Sequence, residues 1–410
     1  METTPAAAPE SPTPILDRLA PVPPPDKRAA RGKVILGSVI GAAAGVALDV
    51  ALWRSPFLGQ RIAVPFFQWL DTPWTGPRLL SLGLSLLAAV VAALCIHEGG
   101  HVVAGLSAGF RFLSVRVGPL LIERSARISW YWGPGALTSG LAVMSAARRD
   151  RLRLRAAVLV LGGPAANLLS GGLALAILPA LGLPYGLFLT ASAVALLLAA
   201  IPYQSRIGLT DGGRLWLLWR DRAPCRRWLA LLKLQAESRE GVLTEARWAE
   251  YLAEAVAVRD PSPETVLAHA FAYSAALSKR RDREAGEHLE TCLRYLSSAP
   301  PGQREGVISD AAVYLARRRK RADLAAQWLA DLRTASNPRM RLRAEAAVLE
   351  AQGDTVGSLR KLDEYEAALL ALPKGSPQRE MLLRTLPGWR SELSDVPSAA
   401  AGAASSSSRK

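Results

Sequence analysis

Cysteine, histidine and aromatic residues are scarce in this 410-residue chain, and the scarcity excludes some classes of protein. The three cysteines, Cys95, Cys225 and Cys292, form no C-x-x-C pair, which excludes a disulfide framework and fits thiols in the cytoplasm or the membrane. Aromatic residues make up only 6% of the chain, and no motif interleaves them with basic residues. The net charge of +15 therefore does not indicate nucleic acid as a partner.

What the chain has in excess is apolar sequence. Half of its residues are hydrophobic, which is too many for an ordinary soluble protein, yet the mean hydropathy of +0.15 is too low for a pure transporter. Four runs, at about 34–53, 79–108, 156–181 and 185–203, approach or exceed the roughly 20 residues that cross a bilayer. We therefore expect an α-helical membrane protein with four transmembrane helices. A signal peptide is the competing interpretation of the first run, but its apolar core would be too long and too far from the start.

Arginine is distributed unevenly around these runs. Nine arginines lie between 111 and 155, and four basic residues at 27–33 precede the first run, whereas the loop after the first run holds three arginines. Because basic residues are retained on the inner face of the membrane, both termini and the 110–155 loop should be cytoplasmic. We expect an integral, multi-pass protein of a bacterial inner membrane.

The segments outside the membrane differ in composition. Residues 1–32 and 395–410 are rich in small residues and in Pro or Ser, which predicts a disordered tail at each end. The membrane domain is expected at 33–220, directly after the first tail. Apolar and polar residues alternate over 112–132, which predicts short cytoplasmic strands. An open edge strand there could pair with an extended peptide, although a plain surface hairpin explains the same pattern.

Residues 221–394 predict an all-α cytoplasmic domain rich in Ala, Leu, Arg and Glu. The stretch RLRAEAAVLEAQGDTVGSLRKLDEYEAALLALP has apolar residues at helical spacing, broken at Gly353-Asp354 and stopped at Pro373. It resembles a tetratricopeptide-type hairpin, and 264–297 and 305–333 are looser copies. A generic helical bundle is the alternative. Stacked hairpins would offer a surface to a protein or peptide partner.

The residues most indicative of chemistry are His97-Glu98-Gly99-Gly100-His101, inside the second apolar run. Histidines at i and i+4 share one face of a helix, where two imidazoles can bind one Zn²⁺ and the glutamate can reach a water molecule. A third ligand is needed, and the position six residues past the second histidine is Ser107, which excludes one class of soluble zinc protease. Asp211, at a Gly-rich break after the fourth run, is the better candidate, although a capping, solvated aspartate is the alternative.

Three ordered motifs, HEGGH at 97–101, GGPAAN at 162–167 and TDGGR at 210–214, resemble those of the site-2 protease family of intramembrane zinc metalloproteases. The resemblance covers about residues 79–216. It implies that His97, His101 and Asp211 bind zinc and that Glu98 is the catalytic acid and base. It also implies that Asn167 positions substrate or stabilises the oxyanion, and that the cytoplasmic strands hold the substrate.

The resemblance has two departures and two alternatives. Thr210 stands where the family often has a hydrophobic residue, and neither a PDZ nor a CBS domain is present, which leaves regulation and substrate choice open. The expected function is cleavage of a transmembrane protein substrate within or near the bilayer, in regulated intramembrane proteolysis. One alternative is a membrane-anchored helical-repeat binding protein with a structural or vestigial zinc site. The other, a zinc transporter, would need more polar residues along a path.

Overall fold

The computed structural model describes most of the chain in two compact units. The described residues are 15–17, 60, 64, 68, 71, 73, 75–124, 127–130, 139–177, 183–202, 204–205, 208–220, 222–240, 245–332, 337–372 and 377–394. One unit comprises Asp26–Val258, and the other combines Met1–Pro25 with Arg259–Lys410. The division falls after Val258. The predicted span at 34–53 and the tail at 395–410 lie outside the described residues.

Three apolar helices form the frame of the Asp26–Val258 unit: α1 (Gly76–Ser107), α2 (Leu152–Ile177) and α3 (Leu183–Ala200). The backbones of α1 and α2 meet at Gly100 and Gly162. A Cβ atom added to either glycine would lie within 2.5 Å of the carbonyl oxygen of the other. Such close contact between apolar helices requires residues without side chains at the crossing point.

Two of these helices, not the three expected in this part of the chain, are long and apolar enough to cross a membrane. They are α1, with 32 residues, and the first 23 residues of α2. The segment expected to span at 185–203 forms the 18-residue α3, of which the apolar part is Gly186–Ala200. At 1.5 Å per residue α3 is about 27 Å long, slightly less than the hydrocarbon core of a typical bilayer. The expectation of four spans is therefore wrong as far as the described residues show. Three of the four were expected among these residues, and two are found.

A four-stranded antiparallel sheet follows α1. Its strands are β1 (Phe110–Val117), β2 (Leu120–Glu123), β3 (Ile128–Trp130) and β4 (Gly140–Ala146), in the order β3-β2-β1-β4. β1 pairs with β2 through Val117↔Leu120 and with β4 through Val117↔Gly140, and a register shift interrupts the second ladder near Leu113. The expected strands are thus confirmed, and β3 and β4 are the edges of the sheet within the described part of the chain.

The remainder of this unit returns to the sheet and to α2. A two-residue pairing of β5 (Gln204–Ser205) with β6 (Gly208–Leu209) leads into α4 (Asp211–Arg220), which is followed by α5 (Ala223–Glu240) and α6 (Glu245–Val256). Side chains from β1, β4, α2, α4 and α5 form one buried apolar cluster. Leu218, near the end of α4, belongs to this cluster, so that the cluster attaches α4 to α2 and the sheet.

The other unit contains three successive helix hairpins and a final helix. The pairs are α7 (Pro263–Ser278) with α8 (Asp282–Arg294), α9 (Pro301–Arg317) with α10 (Ala322–Ala330), and α11 (Pro338–Ala351) with α12 (Thr355–Leu370), followed by α13 (Pro377–Ser394). Each hairpin turn holds one residue with positive φ, at Arg280, Lys320 and Gly353. The all-α prediction is confirmed for the described residues, and the three hairpins coincide with the three segments singled out in the sequence.

One short piece of the N-terminal segment belongs to this helical unit. Ile15–Asp17 form a 3₁₀ turn in which Leu16 is buried, within a segment expected to be disordered. The expected disorder does not hold for these three residues, and the rest of 1–14 and 18–32 lies outside the described residues.

Candidate metal centre

His97, His101 and Asp211 converge at one buried point between α1 and the start of α4. The Asp211 Oδ2 atom lies 3.0 Å from His97 Nε2 and 3.2 Å from His101 Nε2, and the two imidazole nitrogens are 3.3 Å apart. The three side chains each offer one ligand atom, and these atoms lie within 4.8 Å of one another. Each of the three side chains is 10 or 11% exposed. The group could therefore hold a metal ion, and the sequence prediction that these residues meet is confirmed.

The ring of His101 is held by the backbone of α2. Its Nδ1 atom lies 2.8 Å from the carbonyl oxygen of Leu159, and the Gly163 N–H approaches the same nitrogen at 3.3 Å. The shorter contact assigns a proton to Nδ1, which donates to the Leu159 carbonyl and leaves the lone pair of Nε2 directed towards Asp211. Pro164, the residue after Gly163, has no N–H, so the carbonyl of Val160 lacks its helical donor in this turn of α2.

Asn167 holds the other ring. It is 1% exposed, and its Nδ2 atom lies 3.3 Å from His97 Nδ1, whereas its Oδ1 atom is buried with no hydrogen-bond partner. The nitrogen and oxygen of an amide are assigned from their surroundings. Exchanging them lets Oδ1 accept from His97 Nδ1–H, which satisfies the oxygen and frees His97 Nε2 for a metal. The family resemblance implies that Asn167 positions substrate or stabilises the oxyanion, and its observed partner is the ring of His97.

Gly163 leaves the space that the two imidazoles occupy. A Cβ atom at this position would lie 2.4 Å from His101 Nε2 and 2.8 Å from His97 Nε2, closer than non-bonded atoms approach. A glycine is therefore required next to the point where the ligand atoms meet. The two glycines of the GGPAAN motif thus have different roles. Gly162 allows the close contact between α1 and α2, and Gly163 leaves room for the two imidazole rings.

Asp211 is positioned by the start of α4. Thr210 donates from Oγ1 to the carbonyl of Ile201 at 2.6 Å and accepts from the Gly213 N–H at 3.2 Å, so that it caps the helix. Burial raises the pKa of the Asp211 carboxyl, but hydrogen bonds with His101 and His97 outweigh it and hold this pKa below the usual value. Thr210, a departure from the family pattern, thus has a structural role beside an ionised ligand.

Glu98 borders the same site from the other side. Its side chain is buried and interacts electrostatically with the backbone of Ala142 on β4. An open cleft of about 380 Å³ is lined by the three potential ligands, by Glu98 and Arg214, and by β4 residues 140–142. A carboxylate that lines the cleft but lies outside the group of three suits a proton-transferring residue better than a fourth ligand.

The strand that lines this cleft differs from the one that the sequence pattern indicated. The alternation over 112–132 indicated an open edge there, and Val115 and Val117 are two of the apolar residues of that pattern. Both residues lie on β1, which is paired on both sides, and the edge strand at the site is β4. The β4 sequence GLAVMSA is nearly all small or apolar and does not alternate. The sequence pattern therefore did not indicate three groups at this site: β4, the Leu159 carbonyl and Arg214. Of these, Arg214 lies inside the TDGGR motif.

No protein-family model, curated protein or solved structure matches this chain.

Proposed function

We propose that this chain is a zinc-dependent intramembrane endopeptidase, as its resemblance to the site-2 protease family implies. The observation that carries the proposal is the buried group of His97, His101 and Asp211 with Glu98 on the same cleft. A structural metal site is closed by protein ligands, whereas a catalytic site has three ligands and an open position. Three ligands, an open cleft and a carboxylate match the catalytic pattern.

The surfaces of α1 and α2 support placement in a bilayer. Leu80 and Leu84 on α1 are 65% and 58% exposed, and Leu168 and Leu169 on α2 are 63% and 74% exposed. The core helix of a soluble protein would bury such side chains, since burying one leucine stabilises a fold by about 1.5–3 kcal/mol. In a bilayer these leucine side chains would face apolar lipid tails instead of water, so that their exposure would carry no such cost. The proposed enzyme is therefore an integral membrane protein with the HEGGH sequence on a membrane helix.

The donor set favours zinc over the other common divalent ions. Two neutral imidazoles and one carboxylate suit Zn²⁺, whereas Mg²⁺ and Ca²⁺ prefer oxygen ligands alone. Each imidazole is oriented by a second group, His101 by the Leu159 carbonyl and His97 by Asn167. Partners of this kind fix the tautomer of a ligand histidine and are typical of zinc sites in proteins.

The chemistry then divides between the metal and the chain. When bound, Zn²⁺ supplies Lewis-acid chemistry to a water molecule and to the scissile carbonyl. Glu98 accepts the proton of the attacking water and returns it to the leaving amine. Asn167 and the Leu159 carbonyl keep both rings fixed throughout. Arg214 is the one arginine or lysine among the described residues that line the cleft, and it would supply positive charge to a developing oxyanion.

The edge of β4 supplies a means of holding the substrate. A transmembrane helix has its carbonyls bonded internally, so that a segment must become extended before its peptide bond can be attacked. Among the residues that the structure describes, β4 pairs with β1 alone, and its residues 140–142 lie along the cleft beside Glu98. We assign substrate binding to strand addition along this edge, which presents an extended backbone to the metal centre.

Cleavage of a transmembrane substrate tests this function directly. The full-length protein is reconstituted in lipid vesicles with a single-span model substrate, and the products are located by mass spectrometry. Cleavage inside the spanning segment should stop when the metal is removed with a chelator and return with Zn²⁺. Zinc-loaded protein that binds but never cuts a panel of such substrates would support the binding-protein alternative.

Cross-linking tests the strand-addition step separately. Leu141 lies on β4 and is 40% exposed, and Ile128 lies on the opposite edge strand and is 63% exposed. Cysteine at Leu141 should form disulfides with cysteines at alternate positions of the substrate, because strand neighbours repeat every two residues. Cysteine at Ile128 is the matched control and should not. Equal cross-linking from the two positions, or no period of two, would refute pairing at β4.

A further inference from the structure

A three-residue segment near the N-terminus is bound by the helical-repeat unit. The backbone N–H groups of Ile15 and Leu16 both donate to the carboxylate of Glu290 on α8, and the Leu16 contact measures 3.0 Å. The indole N–H of Trp328 on α10 donates to the Leu16 carbonyl at 3.4 Å. Two consecutive donors and one acceptor of the segment are therefore satisfied by side chains from two different helix hairpins.

The side chains of the segment are also accommodated. Leu16 is 4% exposed and belongs to the hydrophobic core of the helical unit, and Ile15 packs against that core. Asp17 is exposed and interacts electrostatically with Arg319 and Arg321, at the turn between α9 and α10. Each of the three residues thus meets a different surface. Ile15 lies at the Glu290 carboxylate and the edge of the core, Leu16 fills an apolar pocket, and Asp17 faces the basic turn.

These contacts have the properties of a peptide-binding site. Glu290 and Trp328 bond only with main-chain atoms, so that they would hold any extended or turn-forming segment with free N–H groups at two successive positions. Selectivity comes from the Leu16 pocket, which requires a side chain of that size, and from the basic turn, which favours an acid at the next position. Such a division between backbone and side-chain contacts is typical of a site that binds and releases a linear segment.

We propose that the helical-repeat unit is a peptide-binding module whose resident ligand is the chain's own Ile15–Asp17. More than 240 residues separate the segment from Arg259, where the helical part of this unit begins, so the contact is a long-range tether, not a local turn. A ligand on a short flexible linker is present at an effective concentration on the order of 1 mM, and the longer connection here makes that value an upper bound. A partner with the same aliphatic and acidic pattern must compete against that concentration to bind.

The test uses the full-length protein and a fluorescent synthetic peptide of sequence SPTPILDRLA, residues 11–20. The substitution Leu16→Asp in the full chain removes the resident ligand and leaves the site intact. The peptide should bind this variant with a Kd below about 1 mM, because the tether fills the site at that effective concentration. It should bind the wild-type chain more weakly, since the site is occupied.

Two further substitutions in the Leu16→Asp background identify the site. Glu290→Ala should weaken peptide binding at least about tenfold, since it removes an ionised acceptor of two hydrogen bonds. Glu287→Ala, on the same helix with its side chain 69% exposed, is the matched control and should have no effect. Absence of peptide binding to the Leu16→Asp chain, or equal binding after Glu290→Ala, would overturn the proposal.

Hydrogen exchange supplies a second measurement that needs no added peptide. In the full chain with its own Leu16, the amides of Ile15 and Leu16 should be protected, and Glu290→Ala should abolish that protection while Glu287→Ala preserves it. Fast exchange in the unsubstituted chain would show that the segment is not bound, and would contradict the proposal independently of the binding experiment. Neither measurement depends on the proposed protease activity.

Discussion

A methyl group added at Gly163 should disable the metal centre without touching a ligand residue. In Gly163→Ala the new carbon would lie 2.4 Å from His101 Nε2 and 2.8 Å from His97 Nε2. Since non-bonded atoms are most stable at about 3.5 Å or more, the His101 ring must retreat by roughly 1 Å. Metal–ligand distances tolerate only about ±0.2 Å, so that a shift of this size breaks the ligand geometry.

The expected magnitude follows from that displacement. Disturbing the groups that orient a ligand costs a metal site about 10–100-fold in affinity, or roughly 1.4–2.7 kcal/mol, and direct displacement of two ligands should cost at least as much. Competition with a chromophoric chelator measures the affinity of the purified protein for zinc in detergent, and a thermal melt checks that the variant is folded.

Gly172→Ala is the matched control for this substitution. Gly172 lies on the same helix, and an added Cβ atom there meets nothing within 4 Å. This variant should bind zinc like the wild type. Zinc affinity in Gly163→Ala equal to that of the Gly172→Ala control would refute the account of the site, because two ligand rings could not then lie where the structure has them.

Three other predictions concern the ligands, their support and the topology. His101→Ala or Asp211→Ala should lose zinc as well as activity, as measured by metal analysis of the purified variants, and retained stoichiometric zinc would exclude the residue as a ligand. Asn167→Ala should keep the fold and weaken zinc binding by about 10–100-fold in the same chelator assay, because the His97 ring loses its orienting group. Unchanged zinc affinity would show that Asn167 does not support the His97 ring, and would favour a role in binding substrate. Cysteines introduced at Ser11 and Ser405 should both be shielded from a membrane-impermeant reagent in intact cells, since binding of the N-terminal segment by the helical unit requires both termini on one side, and labelling of only one would contradict that binding.

The sequence predicted the parts of the site that depend on local geometry. His97 and His101 lie four residues apart on one helix and therefore share a face, and their rings are 4.8 Å apart between centroids. Asp211 was a candidate because it follows a Gly-rich break, and the family motif implied its role as a ligand, since nothing local relates a residue 110 positions away to His101. The three helix hairpins were visible because each has its own apolar spacing and turn.

Other features could not be predicted because they depend on packing between distant segments. Strand order decides which edge is open, and alternation over 112–132 cannot show that β4 covers β1. The length of α3 depends on where the chain leaves the helix, and an apolar run alone overstates it. The bound Ile15–Asp17 turn is three residues within a Pro-rich segment, too short to alter its composition.

The Glu98→Gln variant provides the most direct test of the central claim, that Glu98 transfers a proton and does not bind the metal. Zinc stoichiometry and cleavage of a single-span substrate are measured on the same purified preparation, next to the wild type. The account predicts one zinc per chain in both proteins, with cleavage abolished in Glu98→Gln, because the amide keeps the size of the side chain but cannot accept the proton. Wild-type turnover by Glu98→Gln would contradict the account, and so would loss of zinc from this variant.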